Sequence, residues 1–446
     1  MSKSSRNDNE LSIDVLAMGR EQESPGAQPG CAAKNSWACL APMVAAYALG
    51  TFNDNFFKQT VLFLAIAIGS ESIQSLGAIL FAIPFIACSA WAGWLADRIP
   101  KRRVMIWAKL LEIAAALVGA LSLCFMNFVG MLAMIFLMAT QSTLFSPAIN
   151  GSIPENFTPS GVPAANAILK MSTTASVLCG IALSGVVLDI SIPGLSLPWG
   201  VPFGHLAASA LVVLTAVLGL IAVLFLPKSR EIAPAKALFP WLGVWDSLRH
   251  TYEFYKADRL LLLALCAEAF FYFMGALAVL IINNLGIIEY HLSKTHTSYL
   301  SAALMVGICL GSLAASRIQA RRWHISFFPA GLLMGASFLA APGMALLPPS
   351  AQFTALLGLF VFTGAGGGFF LIPTVSFIQI RPPENARGKT LGVSNFLSFC
   401  GVALSGAFFW PLSQLPPSWG LAACGGITLL FLALMLLGLK TASERA

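Results

Sequence analysis

Charged residues are what this sequence has least of. Asp, Glu, Lys and Arg supply 10% of its 446 residues while hydrophobic types supply 57%, and a soluble globular domain carries roughly 25% charge. Too few charges remain to cover a water-facing surface, so the chain reads as a polytopic membrane protein with no large soluble domain. The signatures of chemistry are missing as well. There is no G-x-S-x-G elbow, no His-Glu-x-x-His and no P-loop, which leaves no enzyme constellation and excludes an ATP-driven pump unless a partner supplies the nucleotide site. The nine Cys are scattered, with neither a C-x-x-C pair nor a Cys/His cluster. They read as small apolar packing residues, and no metal, cofactor or disulfide framework is expected. Residues 1–35 lack the basic-then-apolar pattern of a cleavable signal peptide and are rich in Ser, Gly, Gln and Glu, the composition of a disordered tail.

What is present is a succession of apolar runs. At about 20 residues per crossing there is room for about twelve helices, with spans predicted at 38–68, 73–96, 104–126, 129–149, 164–188, 204–226, 259–285, 297–316, 325–347, 352–376, 389–411 and 419–439. The net charge of +7 is distributed as a topology signal, which is a simpler account than nucleic-acid binding. Loops after the second, sixth, eighth and tenth spans carry the basic residues, among them Arg102, Lys228, Arg249, Arg321 and Arg381, whereas the alternate loops hold only Lys294. By the positive-inside rule both termini are cytoplasmic, which requires an even number of spans. The longest internal polar stretch, 227–258, separates six spans from six and contains a charged amphipathic piece from Trp245 to Lys256. It predicts either a helix on the cytoplasmic membrane surface or a plain covered linker. The expected units are thus a tail at 1–35, a bundle at 36–226, a linker at 227–258, a second bundle at 259–440 and a short cytoplasmic tail at 441–446.

Asp54 sits at the midpoint of the first span, within Phe52-Asn-Asp-Asn-Phe-Phe-Lys58. A carboxylate in hydrocarbon costs a few kcal/mol or more, so it faces a protein interior or a wet cavity and marks a transport path by default. Lys58 lies one helical turn on, on the same face, and could neutralise it as a structural ion pair. Lys109 and Glu112, three residues apart in the third span, are expected to pair inside the bundle and shape the cytoplasmic cavity. Glu268, in the seventh span, either pairs across the bundle with Lys170 or titrates as a coupling site. Asn283 and Asn284 read as turn residues at the outer end of that span. The aromatic pieces at Phe270–Phe273 and Phe369–Phe370 would suit an acyl chain but more commonly pack on helices or lipid.

Between the second and third spans runs Gly93-Trp-Leu-Ala-Asp97-Arg98-Ile-Pro-Lys101-Arg102-Arg103. It resembles the signature loop of the major facilitator superfamily, with Pro100 where that family usually has Gly. A worn copy, Gly311-Ser-Leu-Ala-Ala-Ser-Arg317 to Arg322, follows about one half-chain later, as a duplicated fold predicts. The resemblance implies an all-α membrane protein of twelve transmembrane helices in two pseudo-symmetric six-helix bundles. It also implies a conformational latch on the cytoplasmic side at Gly93, Asp97, Arg98 and Arg103, where Gly93 would let helices approach closely.

Four segments carry a narrower resemblance. They are Gly50 to Lys58, Phe145-Ser-Pro-Ala-Ile-Asn-Gly-Ser-Ile-Pro-Glu155, Ala165-Asn166, and Gly366 to Pro373 running on to Gln379-Ile-Arg381-Pro-Pro-Glu384. Together they look like the lysophospholipid transporter branch of the superfamily, including transporter domains fused to acyltransferase and acyl carrier protein ligase domains. Some relatives have Lys after the Ser-Pro-Ala segment and an acidic residue early in the fifth span, where this chain has Ile149 and Lys170. The branch implies alternating-access transport of a lysophosphatidylethanolamine-like lipid to the cytoplasmic leaflet of a bacterial inner membrane. Reacylation would fall to separate acyltransferase and ligase proteins. The expected substrate-binding residues are Asp54, Lys58, Asn53, Asn55, Lys109, Glu112, Lys170 and Glu268, with Asp54 facing an ammonium and Lys58 a phosphate. A proton- or sodium-coupled exporter of amphipathic drugs or metabolites remains the alternative; a non-transporting receptor or scaffold would leave the buried charges unexplained.

Overall fold

The computed structural model describes residues 37–158, 161–192, 200–227, 243–315, 318, 323–382 and 387–443. The tail at 1–35, the linker residues Lys228, Arg230 and Lys236, and Arg317, Arg321, Arg322 and Glu384 of the expected motifs lie outside the described residues. Thirteen α-helices follow in order: α1 Trp37–Ala67, α2 Glu71–Arg98, α3 Lys101–Cys124, α4 Phe128–Asn156, α5 Val162–Leu188, α6 Phe203–Leu224, α7 Gly243–Ala257, α8 Arg259–Asn284, α9 Lys294–Ala315, α10 Trp323–Leu339, α11 Pro349–Ile380, α12 Arg387–Leu412 and α13 Pro417–Ser443. All but α7 are apolar. Ten are long and apolar enough to cross a bilayer. The other two are α10, with 17 residues, and α1, whose mean hydropathy is lowered by the polar run from Asn53 to Lys58.

Local chemistry sets the boundaries. Ser70, Asn127 and Asp258 cap α2, α4 and α8, each side-chain oxygen accepting from a backbone N–H three residues on. Pro100, the departure from the signature loop, lacks a donor and sits at the N-cap of α3 with φ −48°, where no donor is needed. Its carbonyl accepts from Arg103 and Val104. The fourth helix runs past its expected end at 149, so the whole segment Phe145–Glu155 lies within the last turns of α4. The ninth span ends earlier than expected, because Pro342 and Gly343 turn the chain into a 3₁₀ segment at Ala341–Leu346. At its far end α8 continues as one π-helical turn, Leu285–Glu289.

Packing repeats from one sextet to the other. In the first, α1 lies against α5 and α6, α2 against α4, and α3 against α4 and α6; in the second, α8 lies against α12 and α13, α9 against α11, and α10 against α11 and α13. The two sextets meet along two seams, α2–α12 and α5–α9, and these seams are themselves equivalent under the same repeat. Helix α7 touches α2, α8 and α12, so it lies across the joint, at the end of the molecule called here the linker side. Gly311, the glycine of the worn motif copy, brings α9 so close to α11 that an added Cβ would meet the Ala365 carbonyl. Gly93 has open space where its side chain would be. The close approach expected there is absent from this conformation.

Candidate functional site

A cavity of about 610 Å³ lies between the sextets, within the size range of small-ligand sites. Its lining comes from the linker-side halves of α1, α4, α5, α8 and α12 and from mid-α2 and mid-α3. Beyond it, toward the far side, the sextets are joined by hydrogen bonds. Gln59 and Asn283 exchange both amide bonds at 2.7 and 3.3 Å, and Gln74 donates to Asn284 at 3.4 Å. Ser298 accepts from the Gly185 amide, while Asp189 accepts from Thr295 and from Lys294. Asn283 and Asn284, expected at an exposed outer turn, are thus 0% and 4% exposed. An amide in an apolar span is stable only with a partner, and here each finds one across the joint. The cavity therefore ends blindly on the far side and has its mouth toward the linker side.

Asp54 points into this cavity. Its carboxylate accepts from Ser142 at 2.5 Å and from Gln141 at 3.4 Å, both on α4, where sequence reasoning had singled out neither. The ion pair with Lys58, the structural alternative, is not formed. Lys58 donates to Asn55 at 3.5 Å and lies 4.4 Å over the Phe81 ring, a cation–π seat, and it is outside the cavity lining. Asn53 also turns away: fully buried, it donates to Glu112 and to the Val212 carbonyl at 3.3 and 3.2 Å. Asn55 stays at the cavity wall, donating to the Thr51 carbonyl.

Lys109 and Glu112 pair at 2.6 Å with side chains 1% and 0% exposed, as expected of an internal pair. The lysine reaches the cavity wall and lies 4.8 Å over Phe145; the glutamate is behind it. In the other sextet Glu268 faces the cavity, and its carboxylate accepts from Ser394 of α12 at 2.5 Å. Lys170 of α5 also faces the cavity with an exposed side chain. Neither Lys170 nor Glu268 makes an ion pair within 4 Å among the described residues, so of the two readings of Glu268 the bridge to Lys170 is not formed in this conformation.

The cavity lining is mixed. Besides the polar groups it contains Phe81 and Phe85 of α2 and Leu391 and Phe399 of α12. Phe85 and Phe399 stack across the seam with centroids 3.9 Å apart and planes 2° from parallel. Most of the remaining aromatic candidates pack instead: Phe270 stacks on Phe431, and Phe370 lies against Phe327 with its ring tilted by 34°. Tyr272 alone of these reaches the cavity.

At the linker-side mouth, Asp97 and Arg103 are exposed. Arg98 lies 4.5 Å over the Trp94 ring, and Lys101 pairs with Glu155, tying the start of α3 to the end of α4.

Known proteins match this architecture. The chain is 27% identical over 371 residues to the lysophospholipid transporter LplT of Enterobacter sp. (strain 638), and 28% identical over 378 residues to that of Klebsiella pneumoniae. Each match covers 80% of this chain and 84% of the relative. Among solved structures, a POT family transporter in complex with 5-aminolevulinic acid superposes with a TM-score of 0.68 at 14% identity, covering 91% of this chain and 96% of that one. A bacterial homologue of the human lysosomal transporter Spinster, inward-facing and unoccupied, does so with 0.66 at 16% identity, covering 92% and 98%. The Major Facilitator Superfamily model matches residues 35–407. Two equivalent sextets of helices, joined along two equivalent seams around a central cavity, place this chain in the Major Facilitator Superfamily.

Proposed function

We propose that this protein transports a lysophospholipid across a bacterial inner membrane, from the far leaflet to the leaflet on the linker side, by alternating access. The observation that carries the reading is the mixed lining of the cavity. Charged groups, Asp54, Glu268 and Lys170, and aromatic groups, Phe81, Phe85 and Phe399, share one cavity, and a single-chain phospholipid combines a charged head with an apolar chain. Relatives that bear the name lysophospholipid transporter across most of their length support it. With the basic loops inside, the linker side is cytoplasmic, both termini are cytoplasmic, and the conformation described is open inward. Delivery to that leaflet would hand the lipid to separate acyltransferase and acyl carrier protein ligase enzymes for reacylation. The signature-loop residues Gly93, Asp97, Arg98 and Arg103 would close the mouth in the opposite state, and the chain itself carries out no covalent chemistry.

The test is loss of a fluorescent lysophospholipid from the back-extractable outer leaflet of proteoliposomes. Asp54→Asn keeps an acceptor for the Ser142 hydroxyl but removes the charge, so the variant should remain folded and lose at least about tenfold in rate, the equivalent of one charge-assisted contact. Native flipping by this variant would remove Asp54 from the site. One observation favours a second reading. Asp54 and Glu268 are carboxylates without an ion pair within 4 Å among the described residues, an arrangement suited to a proton- or sodium-coupled exporter of amphipathic compounds. That reading gains if an imposed cation gradient drives a soluble compound while the lysophospholipid stays extractable.

A further inference from the structure

Helix α7, Gly243–Ala257, belongs to neither sextet, and its outward side is ill suited to water. Trp245, Leu248 and Tyr252 are 66%, 43% and 57% exposed, and their spacing of three and then four residues sets them in one stripe along the helix. Ser247 and Thr251 are instead half-buried, their hydroxyls donating to the Gly243 and Ser247 carbonyls of the same helix at 3.0 and 2.8 Å. A surface helix ordinarily turns its apolar stripe to the core. This one turns large side chains away from the helices it packs on. Its start is fixed by Gly243, which approaches α2 so closely that an added Cβ would lie 2.6 Å from the Ala90 Cβ. Ala90 is about two turns short of the linker-side end of α2, so α7 begins beside the wall of the bundle and not beyond its end. Trp91, the next residue of α2, is 42% exposed.

We propose that α7 is an interfacial helix, seated in the linker-side leaflet of the bilayer through Trp245, Leu248 and Tyr252. The stripe is continuous with the membrane-facing surface of the bundle: Trp91 lies one residue from the Ala90 contact and Trp245 two residues from its other side. Trp and Tyr are the side chains that anchor at this level, with the ring among the chains and the polar edge among the headgroups. Along the helix Asp246 and Glu253 balance Arg249 and Lys256, so the apolar stripe, and not attraction to anionic lipid, supplies the seating. The sextets already hold the chain in the bilayer, so α7 meets the leaflet intramolecularly and a short stripe suffices. The proposal concerns the scaffold and holds whatever the cavity carries.

The experiment reads depth. Spin labels are attached to Trp245→Cys, Leu248→Cys, Tyr252→Cys and Asp246→Cys, each in the full chain with its native cysteines replaced, in nanodiscs of phosphatidylcholine. Labels on the stripe should collide with oxygen in preference to a water-soluble nickel chelate and report depths of about 5–10 Å into the boundary between headgroups and chains. The label at Asp246, exposed on the flank of the stripe, should prefer the chelate. Adding phosphatidylglycerol should leave the depths unchanged. A second measurement needs no cysteine replacement: the fluorescence contributed by Trp245, taken as the native protein minus Trp245→Phe, should be lost to lipids brominated along their chains. Preference for the chelate along the stripe would put it in water and overturn the proposal. Shielding from both reagents would do the same, because a protein, a second copy or another chain, would then cover it. Seating that needs phosphatidylglycerol, or Trp245 fluorescence that brominated lipid leaves intact, overturns it as well.

Discussion

Two neighbouring residues, Asn53 and Asp54, show what a single position decides. About 100° apart on the helix, they face different surroundings: one amide is buried against Glu112 and Val212, and one carboxylate lines the cavity. The sequence marks both, because a polar group in a span is costly wherever it points, but the rotation of α1 that separates them is fixed by the helices around it. The same limit explains Lys58, whose helical spacing to Asp54 suggested a pair while Phe81 of α2 offers its ammonium another seat. Lys109 and Glu112 were legible because their spacing alone brings them together. Their pair makes a residue-scale prediction. Glu112→Gln leaves the Lys109 charge buried without a counterion and should cost about 3–5 kcal/mol, read as a lower melting temperature in detergent. Removing both charges with Lys109→Met and Glu112→Leu should recover much of the loss.

Helices were more legible than side chains. The expected spans and the amphipathic linker piece coincide with observed helices, because apolar length and loop charge are carried by many residues at once. The misses have local causes. The fourth span was expected to end at 149, yet the helix runs on to Asn156 and completes the segment Phe145–Glu155, where Lys101 pairs with Glu155. Asn283 and Asn284 looked terminal, and only the partner sextet explains their burial. Element packing is most constrained where α9 crosses α11. Gly307 and Gly311 face the backbone of α11, while Gly364 and Gly368 face the backbone of α9, so at these four positions no side chain holds the helices apart. Gly368→Leu would force the Ile308 carbonyl aside. It should cost at least about 1–3 kcal/mol, the usual range for overpacking, seen as a reduced monodisperse fraction on size-exclusion chromatography. Gly275→Leu, where an added side chain meets open space, is the matched control.

At the scale of the whole molecule, a far-side seal and a linker-side mouth are two ends of one arrangement. The seal at its centre is made of amides, not charges, and neutral hydrogen bonds contribute only about 0.5–1.5 kcal/mol each. Such a joint holds the sextets together and remains breakable. In this conformation a cysteine placed at Asn395, exposed on the cavity wall, should react with a membrane-impermeant thiol reagent applied from the linker side and resist it from the far side, in a background with the native cysteines replaced. Replacing Gln59 and Asn283 together with Leu should raise labelling from the far side, read by mass spectrometry of the modified protein. The sequence announced the repeat through its worn second motif but could not reveal which end is sealed, since that depends on pairs such as Gln59–Asn283 that are distant in the chain.

The empty space beside Gly93 gives the linker-side end of α2 an unused face. A glycine there places no constraint on the conformation described, so under the proposed cycle its value is felt when the mouth shuts. A bulky residue at this position would act as a doorstop: Gly93→Leu should melt like the native protein, bind lipid from the linker side, and yet fail to complete a cycle.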